Sequence, residues 1–224
     1  MSKLILLRHL ESQWNEENRF NGWIDTPLAE GQAVIAEELA KKLFQFKIDT
    51  VYCSTLFRNM DSVARIFEYD KKYPLFVHLD DGKMQRRGHF KDLSDEDVLV
   101  YVTEKLNERY YGELQGENKE KAMEKYGEEK IRLWRRSWNQ APPAGESLKD
   151  VFNRVVPFYK KYVEKDLKQG KNVLIVASHN SLRALVKFLE NISDKDIINL
   201  EIPVGTLIEY EIDDSLEMKS IKTL

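Results

Sequence analysis

The chain is predicted to be an α/β protein, with three α/β/α layers around a mainly parallel central sheet. Three observations lead there. Short, almost wholly apolar runs recur along the sequence, as strands buried on both faces require. Stretches with apolar residues at helical spacing separate them. Two of the apolar runs end in residues able to do chemistry, LILLRHLES near the start and VLIVASHNS near residue 178. Strands alternating with helices imply parallel connections, and sheets of this kind collect ligands at the carboxyl ends of their strands.

Each element has its own warrant. Leu4–Leu7 is an apolar run bounded by polar residues and reads as a buried strand. Between Leu28 and Phe46, Ala36, Leu39, Ala40 and Leu43 recur at helical spacing, with Pro27 just ahead. Thr50–Cys53 is a second strand, Arg58–Phe67 a helix and Pro74–Leu79 a third strand. Ser147 can cap a long helix to Leu167, whose face carries Val151, Val155, Phe158 and Tyr162; Pro157 inside it is expected to kink or break it. Gly170 ends that element, Asn172–Ala177 is a strongly apolar strand, and Ser181–Leu189 a helix. Asp80–Asp97, polar and holding Gly82 and Gly88, reads as an insertion or lid within a single domain spanning residues 1–224.

Composition narrows the function. The chain has 224 residues, 42% hydrophobic and 33% charged, enough to bury a core and too well mixed for disorder. Its net charge of −3 argues against nucleic acid as the main partner. No apolar run approaches the ~20 residues of a bilayer span, and the apolar stretch after Lys3 is too short for a secretory signal. The single cysteine, Cys53, forms no intrachain disulfide and lies in no metal-ligand pattern. A cytoplasmic protein without membrane contact is expected.

Arg8-His9 lies where a buried strand emerges. A neutral imidazole attacks phosphorus readily, and an adjacent guanidinium can hold phosphoryl oxygens by bidentate bonds. Taken alone, such a pair is weak evidence and reads more readily as a histidine bonded to a backbone carbonyl. His179 is a second candidate; His78 and His89 fall in or near the insertion and are expected to be exposed. Arg58, Arg109, Arg135 and Arg136 are each unremarkable as surface charges, but together with Arg8 they could form an anion site. Trp134 and Trp138 read as core packing.

The segment RHLESQWNEENRFNGWIDTPLAEGQ resembles the signature of the histidine phosphatase superfamily, and more narrowly that of the cofactor-dependent phosphoglycerate mutases. CSTLFR, LNERYYGELQGENK, LWRRSWNQAPPAGES, SHNSLRAL and IPVG extend the resemblance to about Tyr210. The LNERYYGELQG stretch is its most specific part. The resemblance implies interconversion of 3-phosphoglycerate and 2-phosphoglycerate in glycolysis and gluconeogenesis, primed by 2,3-bisphosphoglycerate. It places the phosphorylated histidine at His9, phosphoryl-binding arginines at Arg8 and Arg58, and the proton-transfer carboxylate at Glu108. Asn15, Asn21 and Gly22 fall on the loop that contacts substrate and phosphate. Arg109, Tyr111, Lys119, Arg135 and Arg136 match positions that bind the substrate's carboxylate and outer phosphate, and Asn180 joins this set. Small phosphorylated three-carbon acids are the implied ligands, and a homodimer or tetramer the implied assembly. With five arginines and Lys119 to stabilise a charged transition state, no metal is expected.

Two departures from the pattern matter. Leu10 stands where the family has glycine and could crowd the phosphate. Ser178-His179 stands where the family has histidine then glycine, so either residue could take the second catalytic histidine's place. His179 is favoured, since serine cannot supply a comparable cationic donor. The chain also carries extra residues between Arg58 and Glu108 and ends soon after Asp214, without a longer tail over the site. Weaker closure would admit water, so phosphatase leakage is expected. A phosphatase acting on small metabolites, or a catalytically weak binding protein for them, are the alternatives.

Overall fold

The computed structural model describes residues 1–224. Seven strands form one sheet: β1 Ser2–Arg8, β2 Thr50–Ser54, β3 Tyr73–His78, β4 Asp97–Thr103, β5 Val173–Ala177, β6 Leu207–Ile212 and β7 Met218–Thr223. Their order is β3-β4-β2-β5-β1-β6-β7. The first five in that order run parallel, while β6 pairs antiparallel with β1, and β7 with β6. Nine helical segments accompany them: α1 Gln13–Glu16, α2 Gln32–Leu43, α3 Phe57–Glu68, α4 Lys83–Arg87, α5 Lys119–Tyr126, α6 Glu128–Arg136, α7 Leu148–Phe158, α8 Glu164–Lys168 and α9 His179–Leu189. No helix is long and apolar enough to cross a membrane.

Strand alternation explains why the central runs are apolar throughout. Leu4 and Leu6 of β1 and Ile175 of β5 face a core closed by α7, α8 and α9. Ile5 and Leu7 of β1, with Leu174 and Val176 of β5, face a second core beneath α2 and α3. Both faces are covered, so neither set of side chains can be polar. A third, smaller cluster of Phe20, Leu114, Ala122, Ile131 and Trp134 binds α5 and α6 to the loop after α1. Trp138 packs half-buried against the first core.

Three sequence expectations change. Pro157 does not end the helical path, although the regular α-helix stops one residue after it. The chain continues as one widened helical turn, Tyr159–Val163, and resumes as α8. Proline has no N–H for the carbonyl one turn back, and a widened turn just beyond it accommodates the mismatch. The segment 80–97 is polar and largely exposed, yet its last residue opens the strand β4, DVLVYVT. Within it, α4 is wholly exposed, and Asp80 fastens the segment's start to Thr103 Oγ1 (2.8 Å) and to the Glu104 N–H (2.6 Å). His89 is exposed, while His78 is half-buried in β3.

Ser147 caps α7 as its sequence position suggests. Its Oγ accepts from the Asp150 N–H at 3.2 Å, and Asp150 accepts from the Ser147 N–H at 2.9 Å, so two otherwise unpaired donors are satisfied reciprocally. Ser147→Ala is expected to cost about 1 kcal/mol of stability in urea unfolding. A loss below the error of that measurement would show that packing alone holds this helix start.

Candidate active site

Four strand ends deliver the reactive side chains to one cleft. β1 ends at Arg8 and His9 emerges; α3, following β2, carries Arg58 in its first turn; the loop after β4 carries Glu108; and α9, following β5, opens with His179. Lys119 stands at the start of α5, and Arg135 and Arg136 in the last turn of α6, so the small third cluster places them opposite the sheet. The cleft is lined by 14 residues, of which two are hydrophobic: Arg8, His9, Asn15, Arg19, Phe20, Asn21, Arg58, Glu108, Tyr111, Lys119, Arg135, Arg136, His179 and Glu201. Six cationic side chains thus face two carboxylates. That balance suits an anion.

His9 is buried, and its environment fixes its tautomer. Nδ1 lies 2.6 Å from the Leu10 carbonyl oxygen, which can only accept, so Nδ1 carries the proton. The lone pair is then on Nε2, toward which Arg58 Nε points at 3.4 Å. Burial, then Arg58 and Arg8, push the His9 pKa well below the usual histidine value. The ring is neutral at pH 7.

Arg58 is itself almost wholly buried and is held by carbonyls, those of Ile24 (3.0 Å) and Gly22 (2.9 Å). Burial brings its pKa down to about 10, which leaves it charged. Gly22 has φ +54°, and a Cβ there would sit 2.1 Å from Gln115 Oε1. That oxygen accepts from the Trp23 N–H at 2.7 Å, so a side chain at residue 22 would displace the loop that holds Arg58.

Glu108 is buried and densely bonded. Oε1 accepts from the Arg109 N–H (2.6 Å) and Asn180 Nδ2 (2.7 Å), and Oε2 from the Asn180 N–H (3.3 Å). Burial raises its pKa, but His179, the Asn180 amide, Arg58 and the Arg109 N–H outweigh burial and leave it lowered. Asn180 Nδ2 also reaches Tyr111 Oη at 3.1 Å. Burial, with Arg135, Arg8 and Arg136 nearby, pushes Lys119 down to about 8.

Of the residues anticipated from sequence, Arg8, His9, Asn15, Asn21, Arg58, Glu108, Tyr111, Lys119, Arg135, Arg136 and His179 line the cleft. Gly22, Arg109 and Asn180 stand behind it. Arg109 is fully buried: one amine donates to the Arg135 carbonyl (2.5 Å) and its Cζ lies 5.0 Å from the centre of the Tyr111 ring. Leu10 does not crowd the site. Its side chain is buried in the core under α2 and α3, and its N–H donates to Ser62 Oγ at 2.9 Å. Ser178 is buried too, with Oγ accepting from Asn59 Nδ2 at 3.1 Å, outside the cleft lining. His179 lines the cleft, but burial lowers its pKa to about 4 against the opposing pull of Glu201, so at pH 7 it is a neutral imidazole in the free protein and not the cationic donor expected from the sequence. No residue of 80–97 lines the cleft.

Several contributors carry no motif. Glu201, on the loop before β6, lies among Arg8, Arg136 and His179. Arg19 completes the rim, stacked 4.3 Å from the Trp14 ring. Arg154 of α7 donates to the carbonyls of Lys105, Asn107 and Glu108 and pairs with Glu146, clamping the loop that presents Glu108. Only its place on a helix face could have flagged it.

Comparison with known proteins gives the arrangement its relatives. The sequence profile of the histidine phosphatase superfamily (branch 1) matches residues 4–82 and 90–220. A 2,3-bisphosphoglycerate-dependent phosphoglycerate mutase of Methanococcus vannielii is 40% identical over 217 residues, covering 96% of this chain and 92% of its own. One from Chlamydia muridarum is 42% identical over 216 residues, 94% of each chain. Among solved structures, mycobacterial hydrolase 1 superposes with a TM-score of 0.76 at 21% identity, covering 97% of this chain and 95% of its own. The α-ribazole phosphatase of Shigella flexneri reaches 0.73, also at 21% identity, with 98% and 95% covered. These two share the fold. The chain belongs to the histidine phosphatase superfamily and, within it, to the family of the 2,3-bisphosphoglycerate-dependent phosphoglycerate mutases.

Proposed function

We propose that this protein interconverts 3-phosphoglycerate and 2-phosphoglycerate, with His9 as the group that carries the phosphoryl between substrate oxygens. The observation that carries the reading is His9 itself: a buried, neutral imidazole whose lone-pair nitrogen faces Arg58 in a cation-lined cleft. The names of the full-length relatives support the same reaction. A cytoplasmic, glycolytic and gluconeogenic role belongs to this reading.

The residues present fit 2,3-bisphosphoglycerate, a multiply anionic acid. Arg8 Nε, on the cleft wall, is a buried donor with no partner in the protein, and six cationic side chains line the cleft. When bound, this primer supplies the phosphoryl group that His9 Nε2 takes up. Arg8 and Arg58 hold the three equatorial oxygens, whose charge grows in the transition state. Nδ1–H stays on the Leu10 carbonyl, so the ring keeps its orientation as it gains the phosphoryl group. Lys119, Arg135 and Arg136 orient the carboxylate and the remaining phosphate.

Glu108 accepts the proton of the attacking substrate hydroxyl. Its pKa is low in the free protein, partly through Arg58. An anion held by Arg58 offsets that field, so Glu108 gains proton affinity when the cleft is loaded. Asn180 and the Arg109 N–H fix its orientation meanwhile. His179 is read as the second catalytic histidine, since it lines the cleft while Ser178 Oγ lies outside the lining, accepting from Asn59 Nδ2 and Arg58 Nη2.

Turnover assays separate the possibilities. Isomerisation that depends on added 2,3-bisphosphoglycerate is expected; release of free phosphate without isomerisation would make the protein a phosphatase, and metabolite binding without either activity a binding protein. Glu108→Gln is expected to lower kcat by about 10²-fold or more, the range of a lost general base; unchanged kcat would remove Glu108 from proton transfer. His179→Ala is expected to be the more damaging of two single changes, by at least about tenfold over Ser178→Ala. The reverse order would give the role to Ser178. Because His9 is depressed, its neutral form persists as pH falls below 6.5, so its phosphorylation rate is expected to hold at pH 6 and fall only in stronger acid. Half-loss near pH 6.5 would show an ordinary, solvated imidazole.

A further inference from the structure

Glu201 is the one carboxylate lining the cleft that the reaction above does not use. It lies on the loop joining the short turn Asp196–Asn199 to β6. Arginines stake that loop on both sides. Arg183 Nε donates to the Leu200 carbonyl at 3.1 Å, and Arg8 Nη1 to the Ile202 carbonyl at 2.5 Å. Between these stakes the Glu201 side chain turns into the cleft. It forms an ion pair with Arg136 Nη1, lies 3.2 Å from His179 Nε2 without hydrogen-bond alignment, and 3.8 Å from Arg8 Nη1.

Two features make this contact exchangeable. The side chain is 47% exposed, so rotation about its own bonds carries the carboxylate to water without moving the staked backbone. Its principal partner, Arg136, is also one of the cations available to a bound anion. Burial raises the Glu201 pKa, but its contacts with His179 and Arg136 prevail and bring it to about 2. His179 is itself neutral at pH 7, so at neutral pH the pairing is chiefly with Arg136 and the group is a full carboxylate.

We propose that Glu201 is a specificity-determining residue: a tethered counter-ion that occupies Arg136 and Arg8 in the free cleft and is displaced when an anionic ligand binds. It lowers the mutual repulsion of Arg8, Lys119, Arg135 and Arg136, and by the same charge it weakens the cleft's affinity for every anion. Ligands must bring enough negative charge to displace it. This rests on the reading of the cleft as a phosphoryl-transfer site, but its test does not require turnover.

Calorimetric titration with orthophosphate at fixed ionic strength reads the effect directly. Glu201→Gln and Glu201→Ala, which remove the charge, are expected to bind orthophosphate about five- to tenfold more tightly than the natural protein, an effect sized for one partly screened charge nearby. Glu201→Asp, which keeps the charge, is expected to stay within about twofold. Equal or weaker binding by the Gln and Ala variants would overturn the proposal and make Glu201 a positioning residue for Arg136 and His179. Absence of orthophosphate binding in all four proteins would overturn it as well. Tighter binding in the Gln variant together with no isomerase turnover in the natural protein would sink the mutase reading and leave this inference standing. Turnover with no tightening would do the opposite.

Discussion

The structure depends on keeping guanidinium charge underground without neutralising it. Arg58, Arg109 and Arg183 are among the largest fully buried side chains. Desolvating a cation is costly unless its donors are satisfied. Here most of the hydrogen bonds these arginines make go to backbone carbonyls, while Arg109 Nε and Nη1 have no partner in the protein. Arg58 uses Ile24 and Gly22; Arg109 uses Arg135; Arg183 uses Leu200, Ile197 and Arg136. A carbonyl solvates a cation but carries no net charge. The positive field therefore survives burial and is aimed at the cleft, where carboxylate partners would have cancelled it. Only Glu108 and Glu201 interrupt it.

The same field helps set the state of His9, the proposed nucleophile. Buried, and next to Arg58 and Arg8, an imidazole is far less basic than in water, so His9 holds a lone pair at neutral pH where a free histidine would be partly protonated. Its other nitrogen is tied to the Leu10 carbonyl, which leaves the lone pair on Nε2. In the proposed reaction, burial and one arrangement of charge thus keep the nucleophile deprotonated, bind the group it accepts and stabilise the charge that develops on transfer. The carbonyl ties also knit the loop after α1, the α6 terminus and the loop before β6 to the sheet, so site and fold are stabilised together.

Much of this was legible in the order of residues. β1, β2 and β5 are apolar on both faces and announce themselves as buried strands, and α3 and α9 show their periodicity. The two antiparallel strands were not legible: β7, MKSIKT, is wholly exposed, and β6, LIEYEI, alternates only partly. β4 was partly hidden because its first residue closes a polar, irregular stretch. In the site, residues inside recognisable segments, such as His9, Glu108 and Asn180, could be named in advance. Glu201 and Arg154 could not, since each is an ordinary charged residue until folding brings it to its partners. Leu10 shows the converse. A side chain that looks obstructive in sequence is harmless because the chain turns it into the core under α2 and α3.

The central claim is that His9 carries the phosphoryl group, and trapping that state tests it most directly. The protein is mixed with 2,3-bisphosphoglycerate labelled in its phosphoryl groups, quenched within milliseconds, and the labelled peptide located by mass spectrometry. The account predicts label on the imidazole of His9, passed to 3-phosphoglycerate when that acid is added. Label on His179 or elsewhere, or label that persists in His9→Ala, would contradict it.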